Sequence, residues 1–265
     1  MAGPTTTAER GAQREESSGP PLVRGLGPRR LRMIIILVVA VLALGGGCVW
    51  ALYGSQWLRV ERVSVSGTAV LTPAQVREAA AVPVGSPLVS VDTGAIESRL
   101  LSGLPRIDHV EVERSWPDGI SLKVTERTPV VLIRKDGEFV EVDDEGVRYA
   151  TVPQAPKGVP LLEMATGSAE SADASLRRFG ENRLVREAVR VAGDLPAAVA
   201  RATRTVKVRS YDDIQLRLGD GRTVAWGSAE KGAAKARTLT ALMKASPDAR
   251  HFDVSVPTAP ASSGS

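Results

Sequence analysis

Ser228-Ala229-Glu230-Lys231 is the spacing in this chain that most invites a catalytic reading. On a helix, S-x-x-K places a lysine one turn beyond a serine, where it can take the hydroxyl proton, as in penicillin-binding transpeptidases. The partners of that chemistry are missing. An S-x-N motif would need an asparagine other than Asn182, the sole asparagine, and no K-T-G occurs anywhere. Ser228 follows Trp226-Gly227 where a helix is expected to begin. It reads as an N-cap, with Glu230 favoured in the first turn by the helix dipole. His109 and His251 each stand alone before a strand pattern, with no second histidine or cysteine at metal-ligand spacing. Asp143-Asp144-Glu145 lacks the alternating oxygen ligands and terminal glutamate of a calcium loop and reads as a solvated turn. Gly45-Gly46-Gly47 lies inside an apolar run, where it cannot open a helix toward a phosphate in water. Cys48, the only cysteine, sits in the same run, so no internal disulfide can form. The sequence predicts a non-enzymatic protein with no cofactor, no metal and no small-molecule substrate.

A pI near 9.4 points to nucleic acid until the charges are located. Residues 1 to 32 carry six arginines against three glutamates, a surplus of +3 out of the chain's +4. The rest is nearly neutral and offers no basic face to a nucleic-acid backbone. Only seven of the 34 basic residues are lysine, which with much Ala, Gly and Val fits a GC-rich actinobacterial source.

From Met33 to Tyr53 the chain runs 21 residues without a charge. At about 1.5 Å per residue this spans the roughly 30 Å hydrocarbon layer of a bilayer. Arg29, Arg30 and Arg32 precede the run, and Trp50, Tyr53 and Trp57 cluster at its far end. Positive charge stays inside and aromatics mark the interface, so the N-terminus is expected in the cytosol and the bulk of the chain outside, a single-pass type II arrangement. A 32-residue leader and the lack of a small-x-small site before Trp57 argue for a retained anchor over a cleaved signal. Ala43, Gly47 and Ala51 recur every fourth residue, a spacing at which another helix could approach closely.

The elements beyond the anchor follow from periodicity. Val60, Val63 and Val65 open a strand, Thr72-Pro73 caps a helix through Val76, Ala79 and Ala80, and a second helix follows Asp92-Thr93 with Ile96 and Leu100 one turn apart. Val110 and Val112, then Ile120, Leu122 and Val124, alternate with polar residues across the turn Trp116-Pro117-Asp118-Gly119. The order is strand, helix, helix, strand, strand over residues 58 to 127. Past Thr128-Pro129 a meander runs through Val130 to Ile133 and Phe139 to Val142. Ala165 to Ala174 reads as a loop, Leu184 to Ala192 as an amphipathic helix, and Val206, Val208, Ile214, Leu216, Leu218 and Arg222 to Trp226 as strands. A helix from about Ala229 to Ala245 and a last strand from Arg250 to Val256 complete a mixed unit. Residues 1 to 32 and 258 to 265 read as disordered tails.

This order, with Val63-Ser64-Val65-Ser66-Gly67-Thr68, Leu71-Thr72-Pro73, Gly85-Ser86-Pro87-Leu88, Val91-Asp92-Thr93, Trp116-Pro117, Glu126-Arg127-Thr128-Pro129-Val130, Trp226-Gly227, Lys235-Ala236 and Asp253-Val254-Ser255-Val256-Pro257, resembles the FtsQ/DivIB family of bacterial cell-division proteins. The resemblance implies an α+β fold: an anchor at 33–53, a POTRA domain at 58–127, a module that recruits partners, and the family's β domain at 128–257. It also implies a septal scaffold in the plasma membrane, enriched at the division septum, that binds FtsB/DivIC-type and FtsL-type proteins and helps regulate the septal peptidoglycan synthase. Competing readings are a membrane-anchored wall enzyme and a secretion-type POTRA chaperone. The missing nucleophile set weighs against the first, and a single repeat without a barrel against the second. The expected docking edge is Arg250, His251, Phe252, Asp253, Val254, Ser255 and Val256. As the last strand it could leave one edge open, with Phe252, Val254 and Val256 packed inward, and the resemblance points to the same place.

Overall fold

The computed structural model describes residues 28–165 and 170–264. The expected tail over residues 1 to 27 therefore lies outside the described residues. The chain divides into two units, one ending at Ser55 and the other running from Gln56 to Ser265. The first contains helix α1, Pro28–Gly54, which is long and apolar enough to cross a membrane. It begins earlier than the apolar run and takes Arg29, Arg30 and Arg32 into its first turns, because Pro28 suits a first helical position and Arg and Leu are good helix formers.

The second unit opens with β1 (Arg62–Ser66), α2 (Pro73–Ala80), α3 (Thr93–Gly103), β2 (Ile107–Ser115) and β3 (Gly119–Glu126). The sheet order is β1-β3-β2, with β1 parallel and β2 antiparallel to the central β3. Thr72 and Gln75 form a reciprocal capping box that starts α2, and Asp92 caps α3. The helices bury Val76, Ala80, Ile96 and Leu100 on Ile107, Val110, Ile120, Leu122 and Val124, one closed apolar core. Gly67 ends β1 at φ +84, where an added Cβ would lie 2.0 Å from the Val124 carbonyl oxygen. Only glycine allows this close approach. Glu126 then accepts from the N–H groups of Ala69 (2.8 Å), Val70 (3.1 Å) and Leu71 (2.9 Å), which fixes the loop between β1 and α2.

The remainder forms β4 (Val131–Lys135), β5 (Glu138–Val142), β6 (Arg148–Val152), β7 (Leu161–Met164), α4 (Glu170–Phe179), α5 (Glu181–Asp194), α6 (Ala197–Ala202), β8 (Thr203–Ser210), β9 (Asp213–Leu218), β10 (Thr223–Gly227), α7 (Gly232–Ala245), β11 (His251–Asp253) and β12 (Ala261–Ser263). These strands make one sheet in the order β12-β11-β10-β9-β8-β7-β4-β5-β6. Leu184, Val185, Ala188, Val189 and Val191 of α5 pack with Val206, Val208, Ile214, Leu216 and Trp226 in a second core.

Two charged groups join the two modules. Arg106 pairs with the buried Glu141 at 2.7 Å and lies 5.3 Å from the Tyr149 ring centroid. Arg127 meets Asp143, which is 1% exposed and also accepts from the N–H groups of Glu145 and Val147. Asp143 is thus buried, while Asp144 and Glu145 of the same turn are exposed as expected. Its turn closes on Arg127, contributed from outside the meander, and that contact has no local sequence signal. Buried pairs of this kind add little net stability, but removing one partner is costly because it leaves the other charge buried and uncompensated.

Four local readings change. The loop expected over 165–174 gives way to α4 from Glu170, whose Phe179 stacks on Tyr211 with centroids 4.9 Å apart. Residues 166–169 lie outside the described residues. Helix α7 starts at Gly232, with Lys231 left-handed at φ 57 as its N-cap, so Ser228 does not cap it. The last strand shrinks to three residues. Part of the tail expected to be disordered, Ala261–Ser263, pairs as a strand.

Candidate partner-docking edge

The C-terminal end of the large sheet is built on β10. Trp226 of this strand is fully buried, and Gly227, at φ +77, brings the chain so close to Ser255 that an added Cβ would lie 3.0 Å from the Ser255 Cβ. Lys235 of α7 is 2% exposed, and its Nζ donates to the carbonyls of Trp226 (2.9 Å) and Ser228 (2.8 Å). Burial holds this ammonium's pKa below its ordinary value. The lysine that matters structurally here is therefore Lys235. The Ser228–Lys231 segment is a turn, so Lys231 does not stand one helical turn above Ser228.

β11 runs parallel to β10, with Phe252 opposite Val224. The Thr223 N–H donates to the Arg250 carbonyl and the Val254 N–H to the Ala225 carbonyl, both at 2.9 Å. These bonds turn the backbone of Phe252 toward β10. By alternation, His251 and Asp253 face the other way, where β12 pairs with them as Ser263 and Ala261. The same alternation leaves the N–H and C=O of Ser262 pointing away from the sheet. Arg250 completes the β12 contact, its N–H donating to Ser263 (3.1 Å) and Gly264 (2.7 Å) carbonyls.

The expected docking residues consequently fall into different roles. Phe252 and Val254 are core side chains at 1% and 0% exposure. Val256 breaks the expected inward alternation and is 54% exposed, because the chain leaves the strand after Asp253. Arg250, His251 and Asp253 are exposed, with His251 Nδ1 2.6 Å from Thr223 Oγ1 and Asp253 accepting from the N–H and hydroxyl of Ser255. The edge of Arg250 to Val256 is not free. It is covered by β12, and the open edge moves outward to Ala261–Ser263. A shallow groove of about 390 Å³ lies over this end, lined by His251, Asp253, Ala261 and Ser263 on the outer side. Nothing in the tail's composition announced β12. Its three small residues have no apolar period and pair only because β11 offers a template.

Comparison with known proteins accounts for both modules. Residues 58–127 match the family described as "POTRA domain, FtsQ-type", and residues 131–255 match "Cell division protein FtsQ/DivIB, C-terminal". Proteins called cell division protein FtsQ from Streptomyces collinus and Streptomyces coelicolor are each 72% identical over 265 residues, covering 100% of both chains. One of the same name from Mycobacteroides abscessus is 30% identical over 229 residues, covering 86% of this chain and 68% of its own. With a membrane-length helix, a three-stranded POTRA sheet and a sheet-rich C-terminal half in this order, the chain belongs to the FtsQ/DivIB family of bacterial cell division proteins.

Proposed function

We propose that this protein is a non-catalytic scaffold of the division machinery, anchored N-in by α1, whose C-terminal sheet edge captures a strand from an FtsB/DivIC-type partner. An FtsL-type protein joins the same assembly, which in turn recruits or regulates the septal peptidoglycan synthase. The observation that carries the reading is the outer edge at β12: a short strand of small residues with the backbone of Ser262 turned outward. Such an edge accepts another strand through main-chain hydrogen bonds, while the groove beside it can take alternate side chains. The docking residues are Ala261–Ser263 as the pairing strand, with Arg250, His251 and Asp253 beside it. Arg29, Arg30 and Arg32 in the first turns of α1 support the N-in orientation. Lys231 outside the helix and Lys235 committed to carbonyls support the absence of catalysis.

A photo-crosslinking residue placed at Ser262 in dividing cells tests the edge, with Thr151 on β6, at the opposite end of the sheet, as the control. The Ser262 probe should capture the FtsB/DivIC-type protein at septa and the Thr151 probe should not. Capture from Thr151 alone would move the docking site to the other edge. A protein spread evenly over the membrane of dividing cells would count against the septal role itself.

A further inference from the structure

Because β1 and β3 run parallel, the POTRA module has two distinct poles. The ends of both strands, with Gly67 to Leu71 and Glu126, face the rest of the exported chain. The starts of both strands form the other pole, and three separate stretches of sequence meet there. The N–H groups of Glu61 and Arg62 donate to the Asp118 carbonyl, which places the turn after β2 beside the entry to β1. Val60 exchanges hydrogen bonds with Ser86 and Gly85, and Arg59 Nη1 donates to the Gly85 carbonyl at 2.7 Å. At this pole Trp57 is 85% exposed, Val84 66% and Trp116 54%.

Single exposed apolar residues need no explanation, but a cluster at one end of a domain does. The chain has four tryptophans: Trp50 lies on α1, Trp226 is buried in the second core, and the other two are both here. Val60 is fully buried and only six residues beyond Gly54, where α1 ends. Six residues reach at most about 20 Å, so the chain itself keeps Val60 within that distance of Gly54. Around it Arg62 pairs with Asp118 and Arg114 donates to the Leu88 and Val91 carbonyls; with Arg59, the three arginines exceed Glu61 and Asp118 by a single positive charge, which does not oppose anionic head groups.

We propose that this pole is a lipid-docking surface, at which Trp57, Val84 and Trp116 enter the outer head-group layer of the bilayer that α1 crosses. The proposal rests on reading α1 as a membrane span. Tryptophan suits this layer because its ring is apolar and its indole N–H keeps a polar partner. The tether multiplies a weak affinity: a short linker holds the surface near lipid at an effective concentration of order millimolar.

The test uses the full chain in nanodiscs of phosphatidylcholine and phosphatidylglycerol, with acyl chains either unmodified or brominated near the head group. Subtracting the emission of the Trp116→Phe variant from that of the wild type isolates Trp116. Bromine should quench that difference emission by more than about half, as for a ring at the interface. Unquenched Trp116 beside quenched emission from the remaining tryptophans would overturn the docking surface and leave the anchor standing. No quenching in the wild type at all would show that α1 is not in lipid, and the proposal would fall with it.

Discussion

Proline at two positions separates the bonds that hold the C-terminal edge from those that offer it to a partner. At Val254 the lost N–H is the one bonded to the Ala225 carbonyl at 2.9 Å, and the side chain is fully buried. An orphaned carbonyl costs about 1–3 kcal/mol, and proline's steric conflict within a paired strand adds to it. Val254→Pro should therefore remove about 3–5 kcal/mol, a large share of the 5–15 kcal/mol typical of a domain. At Ser262 the backbone N–H points outward, and the hydroxyl donates to Ser246 Oγ at 3.1 Å. Ser262→Pro should cost at most about 1 kcal/mol, since one partly exposed hydrogen bond is lost. Both cores lie within residues 56–265, so urea titration of that segment, followed by tryptophan emission in a Trp57→Phe, Trp116→Phe background that leaves Trp226, measures the stabilities. Calorimetry with the exported part of the FtsB/DivIC-type partner measures docking. The expected pattern is an unfolded or weakened Val254→Pro, and a Ser262→Pro that folds normally and binds at least about tenfold more weakly. A folded Ser262→Pro with unchanged affinity refutes strand addition at β12. A Val254→Pro as stable as the wild type refutes the β10–β11 register.

Two further outcomes concern the POTRA module. Gly67→Ala should lower its stability by about 3 kcal/mol or more, because the Cβ would meet the Val124 carbonyl oxygen at 2.0 Å and the backbone sits at φ +84; near-normal stability in urea titration would show that β1 does not end against β3 as described. At Glu126, desolvation pushes the carboxyl pKa up, but the N–H groups of Ala69, Leu71 and Val70 outweigh it and hold the pKa below the ordinary 4.5. A depressed carboxyl contributes stability that is present above the unfolded pKa and lost as pH falls through the folded one. Glu126→Gln should thus cost about 1–2 kcal/mol at pH 7, and the gap to wild type should narrow steadily as pH falls below the ordinary 4.5; a gap that stays constant throughout the acid range in parallel urea titrations would mean that the carboxylate charge plays no part.

Much of the molecule is local physics and was legible in the residues. The charge-free run from Met33 to Tyr53 specifies a membrane-length helix by length alone, and Arg29, Arg30 and Arg32 supply the charge asymmetry expected to orient it. Thr72-Pro73 and Asp92-Thr93 place two helices, and period-two alternation through Val110–Val112 and Ile120–Val124 places two strands, since caps and pleats act within a few residues. What the tertiary structure decided depends on groups far apart in sequence. Asp143 is buried where Arg127 reaches it, α4 forms where Phe179 finds Tyr211, and Ser228 does not cap α7, its carbonyl instead accepting from the buried Lys235. The position of the open edge is the same kind of outcome. Ala261-Ser262-Ser263 carries no strand signal of its own, and it becomes the edge only because the β11 backbone, turned by its bonds to β10, leaves the groups of His251 and Asp253 to be paired.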